Sequence, residues 1–338
     1  MQILTIVVPS YNMEKYIRKN LESFIDIRII DDIEVLIVND GSKDDTESIA
    51  QEFVKKFPNT FHLLNKENGG HGSAVNCGIK NASGKYFKIV DADDWLDTES
   101  LVKLVKKLKS TDVDLFLTNY ETVDMFTHET VIYKFQNITY GKVYSVEDAI
   151  KSGNLFPMHS LCYKTAILQE NEISLQEKIY YVDEEFNVLP FVYVKSIYFY
   201  DIILYNYMIG NCNQSISVEN QIKRIDHKIK IIKRLIDYID NESFVVINKE
   251  YCYQKIAGMI TSVYLVMLIY NEDKSYGRNY TKLFRKFIKS KNIKLEQMSK
   301  FKYRIFRLMS FFGVSQKKYD MIFGAVKKLM RRHCCLIL

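Results

Sequence analysis

No two of the six cysteines (Cys77, Cys162, Cys212, Cys252, Cys334 and Cys335) are spaced C-x-x-C, so neither a zinc ribbon nor a thioredoxin-like redox site is expected. Free thiols of a reducing cytoplasm are the plain reading. No long apolar span is present either. The longest apolar run without a charge, Ile256 to Tyr270, holds 15 residues, against the roughly 20 needed to cross a bilayer; a buried helix is expected there. The opening Met-Gln-Ile-Leu-Thr-Ile-Val-Val-Pro has no basic leader and no small-residue cleavage site, so a signal peptide is not expected. Neither G-x-x-x-x-G-K-[ST] nor a G-x-G-x-x-G at the first helix occurs, which disfavours P-loop and dinucleotide-binding chemistry. Internal repeats and low-complexity linkers are lacking too.

What is there belongs to a globular protein. The 338 residues are 47% hydrophobic and 26% charged, enough for one large domain or two ordinary ones. The net charge of +6 hides an asymmetry. Residues 274–338 carry 18 Lys and Arg against Glu296 and Asp320, a net +16, which leaves −10 on residues 1–273.

The first 120 residues alternate strand and helix. Ile3–Val8 is a continuous β-branched run, as in a buried parallel strand. Glu14–Ile25 then has apolar residues at helical spacing. Glu34–Val38, a helix from about Asp44 to Phe57, Phe61–Leu64, a helix over Gly72–Lys80, Tyr86–Val90, Glu99–Lys109 and Asp114–Leu117 continue the alternation. Asp44 followed by Glu47 predicts a capping box. Repeated β-α-β units imply a parallel sheet covered by helices on both faces. Residues 118–140 read as a hairpin around Thr127-His128-Glu129. Ser145–Ser152 and Lys164–Glu170 read as short helices, Ser196–Tyr207 as strand, and everything after about Glu219 as helix.

Ligands bind at the carboxyl ends of the strands in such sheets. Polar clusters fall at three of them: Pro9-Ser10-Tyr11-Asn12, Asn39-Asp40-Gly41-Ser42 and Asp91-Ala92-Asp93-Asp94-Trp95. A fourth, Asn68-Gly69-Gly70-His71-Gly72, leads into a helix, where glycine permits close backbone approach and the helix start favours anions. Three carboxylates within four residues repel one another unless solvated or neutralised by a cation, and their oxygens suit Mg²⁺ or Mn²⁺. The competing reading is an acidic helix start ahead of Glu99. With Asp44 taken as the helix cap, Asp40 is left spare for a ligand; its alternative use is as a turn residue before Gly41.

Together these segments resemble the family 2 glycosyltransferases. The match runs through Val7-Val8-Pro9-Ser10-Tyr11-Asn12, Val38-Asn39-Asp40-Gly41-Ser42 with Asp45-Thr46, Asn68-Gly69-Gly70 through Ala74, Asn76 and Gly78, then Gly84 and Val90 to Leu96. The resemblance covers residues 1–110 well and thins towards 217. It implies a GT-A fold, a Rossmann-like mixed sheet with helices on both faces, in a catalytic domain over 1–217. Residues 1–110 would form its nucleotide half and 111–217 its acceptor half, with a helical, basic region over 218–338. It also implies transfer of a sugar from a nucleoside-diphosphate donor, a UDP-sugar above all, to a glycan or lipid-linked acceptor. Pro9, Tyr11 and Asp40 would hold the nucleotide, with Asp40 reading the base. Gly70, His71 and Ala92 would lie against the donor. Asp91 and Asp93 look like the family's DxD element, contacting ribose and holding Mn²⁺ or Mg²⁺, with Asp94 supporting the loop.

Inverting transfer also needs a carboxylate to take the acceptor's proton. Aligned on Phe186, the family's Glu-Asp segment becomes Val182-Asp183 here, making Asp183 the base and Glu184 the fallback; an acidic helix start favoured by the dipole is the alternative. The Arg that many relatives carry before a Gln-Ser pair is missing from Gly210-Asn211-Cys212-Asn213-Gln214-Ser215, so the cation, or Lys223 or Arg224, would neutralise the diphosphate instead. A non-catalytic nucleotide-sugar-binding subunit of a polysaccharide synthase complex stays open as a second reading, and a nucleotidyltransferase as a third. The basic tail suits amphipathic helices on an anionic membrane surface, which would place the protein in the cytoplasm at the inner face of the plasma membrane. A solvated basic face packed on the catalytic domain is the alternative. No nucleic-acid partner is expected, and Cys335-Leu336-Ile337-Leu338 matches a prenylation box by chance.

Overall fold

The computed structural model describes residues 2–210, 217–240 and 243–321 together with Phe323. The chain divides into two compact units, Met1–Asn211 and Cys212–Leu338.

The first unit is a layered α/β structure. Its elements are β1 (Leu4–Ser10), α1 (Ile17–Glu22), β2 (Ile33–Asn39), α2 (Thr46–Lys56), β3 (Phe61–Asn65), α3 (His71–Asn81) and β4 (Tyr86–Ile89). Then come β5 (Trp95–Leu96), α4 (Thr98–Ser110), β6 (Leu115–Asp124), β7 (Thr130–Tyr133), β8 (Val143–Ser145) and α5 (Val146–Lys151). β9 (Leu161–Lys164), α6 (Thr165–Glu170), α7 (Asp183–Val188) and β10 (Ser196–Ile209) complete it. The sheet runs β3-β2-β1-β4-β9-β6-β10-β5, with β7 beside β6 and β8 beside β10. β3, β2, β1 and β4 are parallel. β9 is antiparallel to both β4 and β6, so the sheet is mixed where the β-α-β alternation alone implied a parallel one. Every residue of β1 and β2 is buried, which is why Ile6–Val8 and Val35–Val38 read as apolar runs: helices cover each face.

β1 lies between β2 and β4, so the chain leaves it in one direction for β2 and β3 and returns on its other side to β4. The loops after Ser10, Asn39, Asn65 and Ile89 therefore gather at one edge of the sheet, at its switch point. The hairpin expected around Thr127 forms between β6 and β7, its turn held by Asp124 accepting from the amides of Phe126 and Thr127. The capping box does not form. α2 starts after Asp45 with no side-chain cap. Asp44 instead accepts from the Thr46 amide at 3.1 Å and from the Glu14 amide at 3.1 Å, and Glu47 accepts from Asn65 Nδ2 at 2.7 Å. Both side chains tie loops together.

The second unit is helical: α8 (Val218–Lys223), α9 (Ile225–Ile239), α10 (Val246–Leu265), α11 (Lys274–Lys291) and α12 (Ile293–Phe311). α10 runs on into a π-helical turn over Val266–Tyr270. By length and composition the stretch Val246–Tyr270 passes for a membrane span, yet 61% of its apolar window is buried. It packs against α9, α11 and α12 as the core of this unit, the buried helix anticipated from the shortness of its uncharged run. Close approach here is set by Gly277, where a Cβ would lie 2.0 Å from the Met267 carbonyl oxygen.

Candidate active site

Asp40 follows β2 and is 2% exposed. Its carboxylate is fully engaged: Oδ1 accepts from Lys66 Nζ at 2.7 Å and the Gly69 amide at 2.9 Å, and Oδ2 from the Gly70 amide at 2.7 Å. Asp40 is thus already bonded to the glycine turn, partners that the sequence did not reveal. Its negative charge organises the glycine turn, as buried carboxylates require partners. Gly70 has φ +83, and a Cβ on Gly72 would sit 2.1 Å from the Gln176 carbonyl oxygen. The turn is glycine-rich partly because residues 175–178 pack over it, with the Lys178 amide donating to the Gly69 carbonyl at 2.7 Å. Glu185, buried in α7, holds that segment by accepting from the Gln176 amide and Nε2 at 2.7 and 2.8 Å. On the adjoining strand end, Pro9 is buried within β1 opposite Val38, and Tyr11 is 46% exposed. Asn12, at φ 55, accepts from the Lys43 amide at 2.8 Å and so latches this loop to the one after β2.

The acidic loop after β4 is clamped from two sides. Asn20 Nδ2 of α1 donates to the carbonyls of Asp91 and Asp94 at 3.0 and 2.8 Å. From β10, the Tyr205 hydroxyl donates to Asp94 Oδ2 at 2.6 Å and accepts from the Asp91 amide at 3.1 Å, while the Met208 amide reaches Asp94 Oδ1 at 2.7 Å. Ala92 and Asp94 are buried. Asp94 is the loop's internal strut, and Asp91 and Asp93 keep partial exposure. His71, the first residue of α3, lies with Nε2 2.9 Å from Asp91 Oδ1.

Electrostatics bind these groups into one site. Burial alone would lower the His71 pKa, but Asp91, Asp183 and Asp93 more than offset it and raise the imidazole above its usual value. Burial opposes ionisation of Asp91 as well, and His71 beside it holds that carboxyl below its usual range. Asp93 is pushed up to about 6, first by burial and then by Asp91. Burial, followed by Asp93 and Asp91, drives Asp94 well up despite its bonds to Tyr205 and Met208. The Tyr207 hydroxyl is raised by burial and by Asp94, Asp91, Asp93 and Asp183. Asp183, at the start of α7, thus faces the same His71 and Tyr207 as the acidic loop. Glu184 accepts from Asn187 Nδ2 at 3.3 Å, a bond within its own helix.

An aromatic wall adjoins this centre. Tyr133 stacks on Tyr120 at 4.8 Å and 4°, Tyr120 meets His159 at 5.3 Å, and His159 stacks on Tyr207 at 4.3 Å. Beneath it Lys88, fully buried in β4, donates to the His159 carbonyl at 2.7 Å, and burial lowers its pKa to about 8. Burial and Lys88 hold His159 down at about 4, so its ring is neutral. Sequence reasoning missed Lys66, Tyr205, Glu185 and Lys88. Lys88 left a signal, a single charge inside Tyr-Phe-Lys-Ile-Val. Lys66 and Tyr205 depend on partners remote in sequence, and Glu185 on a loop residue nine positions before it.

Asp91 and Asp93 fit a hard divalent cation in chemistry, being oxygen ligands whose mutual repulsion already shows in the upward shift of Asp93. Among the described residues no three His, Cys, Asp or Glu side chains form a ready metal cage.

The carboxylate loop and the glycine turn thus meet at the switch point of a mixed sheet, where such folds bind ligands. The sequence profile described as Glycosyl transferase family 2 matches residues 5–167. An uncharacterized glycosyltransferase of Rickettsia prowazekii is 31% identical over 304 residues, covering 85% of this chain and 91% of the relative. Glycosyltransferase GlyA of Streptococcus pneumoniae is 30% identical over 217 residues, 59% of this chain but 30% of GlyA. The chain belongs to the family 2 glycosyltransferases and is a transferase. Among solved structures, residues 1–349 of Staphylococcus aureus TarS in complex with UDP-GlcNAc superpose with TM-score 0.68 at 19% identity, covering 93% of each chain. A mannosyltransferase of Pyrobaculum calidifontis in complex with GDP-Man and Mn²⁺ gives 0.53 at 15% identity, covering 96% of this chain and 86% of that one. At such identities the likeness shows the fold: GT-A, with a helical region after residue 218. The segment 210–215, expected to lack the family's Arg, lies outside the described residues beyond Gly210, as do residues 335–338.

Proposed function

We propose that the protein transfers a sugar from a nucleoside-diphosphate donor, a UDP-sugar, to a hydroxyl of a glycan or lipid-linked acceptor, with inversion at the anomeric carbon. One observation carries this reading: Asp183 and the acidic loop act on the same His71 and Tyr207 from different elements. That shared influence supports a proton acceptor and a leaving-group site serving one transfer.

The roles follow from charge. Asp93, with Asp91, would hold Mn²⁺ or Mg²⁺, which when bound supplies positive charge against the departing diphosphate. Asp94, Tyr205 and Asn20 fix the loop that presents those carboxylates, so little reorganisation accompanies reaction. His71, whose pKa its acidic neighbours raise against the effect of burial, lies 2.9 Å from Asp91 and restrains it on the donor side. Tyr11 and the turn organised by Asp40 form the nucleotide shelf. Asp183 takes the acceptor proton as the hydroxyl attacks opposite the leaving group; Glu184, next in α7, is the fallback.

The test is a panel of nucleoside-diphosphate sugars monitored by release of nucleoside diphosphate, with and without Mn²⁺. Asp183→Asn is expected to lower kcat by about 10²–10⁴-fold with donor affinity unchanged. Asp93→Ala should abolish metal-dependent donor binding. Full turnover in either variant would remove that residue from its role.

A further inference from the structure

We propose that the outer face of α12 is a docking surface for an anionic lipid bilayer. This goes beyond the transfer site and does not depend on how that site is read.

α12 has two faces of opposite fate. Leu295, Ser299, Tyr303, Phe306 and Ser310 are buried within the helical unit, where α12 packs against α10 and α11. Met298, Phe301, Ile305 and Leu308, continued by Phe312, follow one another at steps of three and four and lie on a single line along the helix. Phe301 is 72% exposed, Leu308 60% and Phe312 72%. Isolated surface apolar residues need no explanation, but a continuous stripe of large ones marks an interaction surface.

Charge decides what the stripe meets. Lys300, Lys302, Arg304 and Arg307 are interspersed with it. The one carboxylate of α12, Glu296, is buried and paired inward with Arg285. The outer face of the helix therefore carries cations with no acidic counterpart of its own. A second copy of the helix would bring the same cations against them. A bilayer of anionic lipids offers what both parts lack, an acyl boundary for the aromatic and aliphatic side chains and phosphate at the level of the cations. Each cation near such a surface contributes about fivefold in partitioning, and the long stems of Lys and Arg let their heads rise to the phosphates while Phe and Leu sink.

The experiment uses the full chain and vesicles of phosphatidylcholine, either alone or with about 30 mol % phosphatidylglycerol to supply a negative surface potential. Wild type is expected to co-sediment with the anionic vesicles only, and less so as salt rises. The pair Phe301→Ser and Leu308→Ser should lower partitioning at least about tenfold, with circular dichroism and Tm unchanged because both side chains are exposed. Lys300→Gln with Arg304→Gln should lower it by about twenty-fivefold. The proposal is overturned if wild type ignores anionic vesicles or if the Phe301/Leu308 variant binds as well as wild type. A wild-type dimer that the Phe301/Leu308 variant loses would assign the stripe to a second copy instead. Loss of binding on neutralising Lys327, Lys328, Arg331 and Arg332 alone, with the α12 variants unaffected, would also overturn it.

Discussion

Asp40 and Asp93 stand at the ends of two strands that flank β1, and their surroundings differ in kind. Asp40 has a lysine and two backbone amides on its two oxygens. Asp93 has burial and another carboxylate, which push its pKa up to about 6. A buried charge supplied with donors is a structural strut. A buried charge crowded by its own kind is held in reserve for a ligand that brings positive charge. Sequence alone shows the crowding around Asp93 but not the donors around Asp40.

The comparison is open to attack from both ends. Asp40→Ala should have the largest effect on the fold, about 3–5 kcal/mol of lost stability in urea denaturation, because Lys66 and two amides lose their partner. An unchanged midpoint would demote Asp40 from strut to bystander. Tyr205→Phe removes the hydroxyl that serves both Asp94 and the Asp91 amide; about 1–2 kcal/mol is expected, together with a weaker apparent affinity for Mn²⁺. Stability lost without any change in the Mn²⁺ titration would make Tyr205 structural only.

Asp93→Asn should move the other way. The folded pKa of Asp93 lies above its unfolded value near 3.8, so the native state holds that proton more tightly. The stability this confers is complete below about pH 4 and is lost as pH rises through about 6. A neutral amide avoids the loss, so the metal-free variant should be more stable than wild type by about 1–2 kcal/mol at pH 8, allowing for partial exposure of the carboxyl. The gain should vanish at pH 4; a gain independent of pH would point to packing instead. The smallest effect is kinetic. Donor turnover should fall as pH drops below about 6, where Asp93 takes up its proton, and a profile flat from pH 5 to 7 would contradict the assignment.

The parts of this molecule that were legible from sequence are those set by local pattern. β1, β2 and β4 show as apolar runs because both of their faces are covered, and the loops that follow them are polar because they are not. β9 was invisible. Its four residues follow a short 3₁₀ turn, too few to display a period, and their insertion between β4 and β6 is a matter of tertiary pairing. The same holds within the site. The acidic loop was readable as crowded carboxylates, but its clamp comes from Asn20, 71 residues before Asp91, and from Tyr205, 114 residues after it. Asp40 looked free because its three donors lie 26 to 30 residues away.

The bonds from Glu185 to Gln176 carry a consequence for how such an enzyme can diversify. The segment that lies on the glycine turn and the helix that begins with Asp183 are fastened at both ends of one short stretch of chain, which acts as a ruler between the nucleotide shelf and the proposed proton acceptor. Lengthening or shortening that stretch by a residue would change the span and strand one end. New acceptor preferences are therefore expected to arise by remodelling the surrounding walls, leaving the spacing from Gln176 to Glu185 untouched.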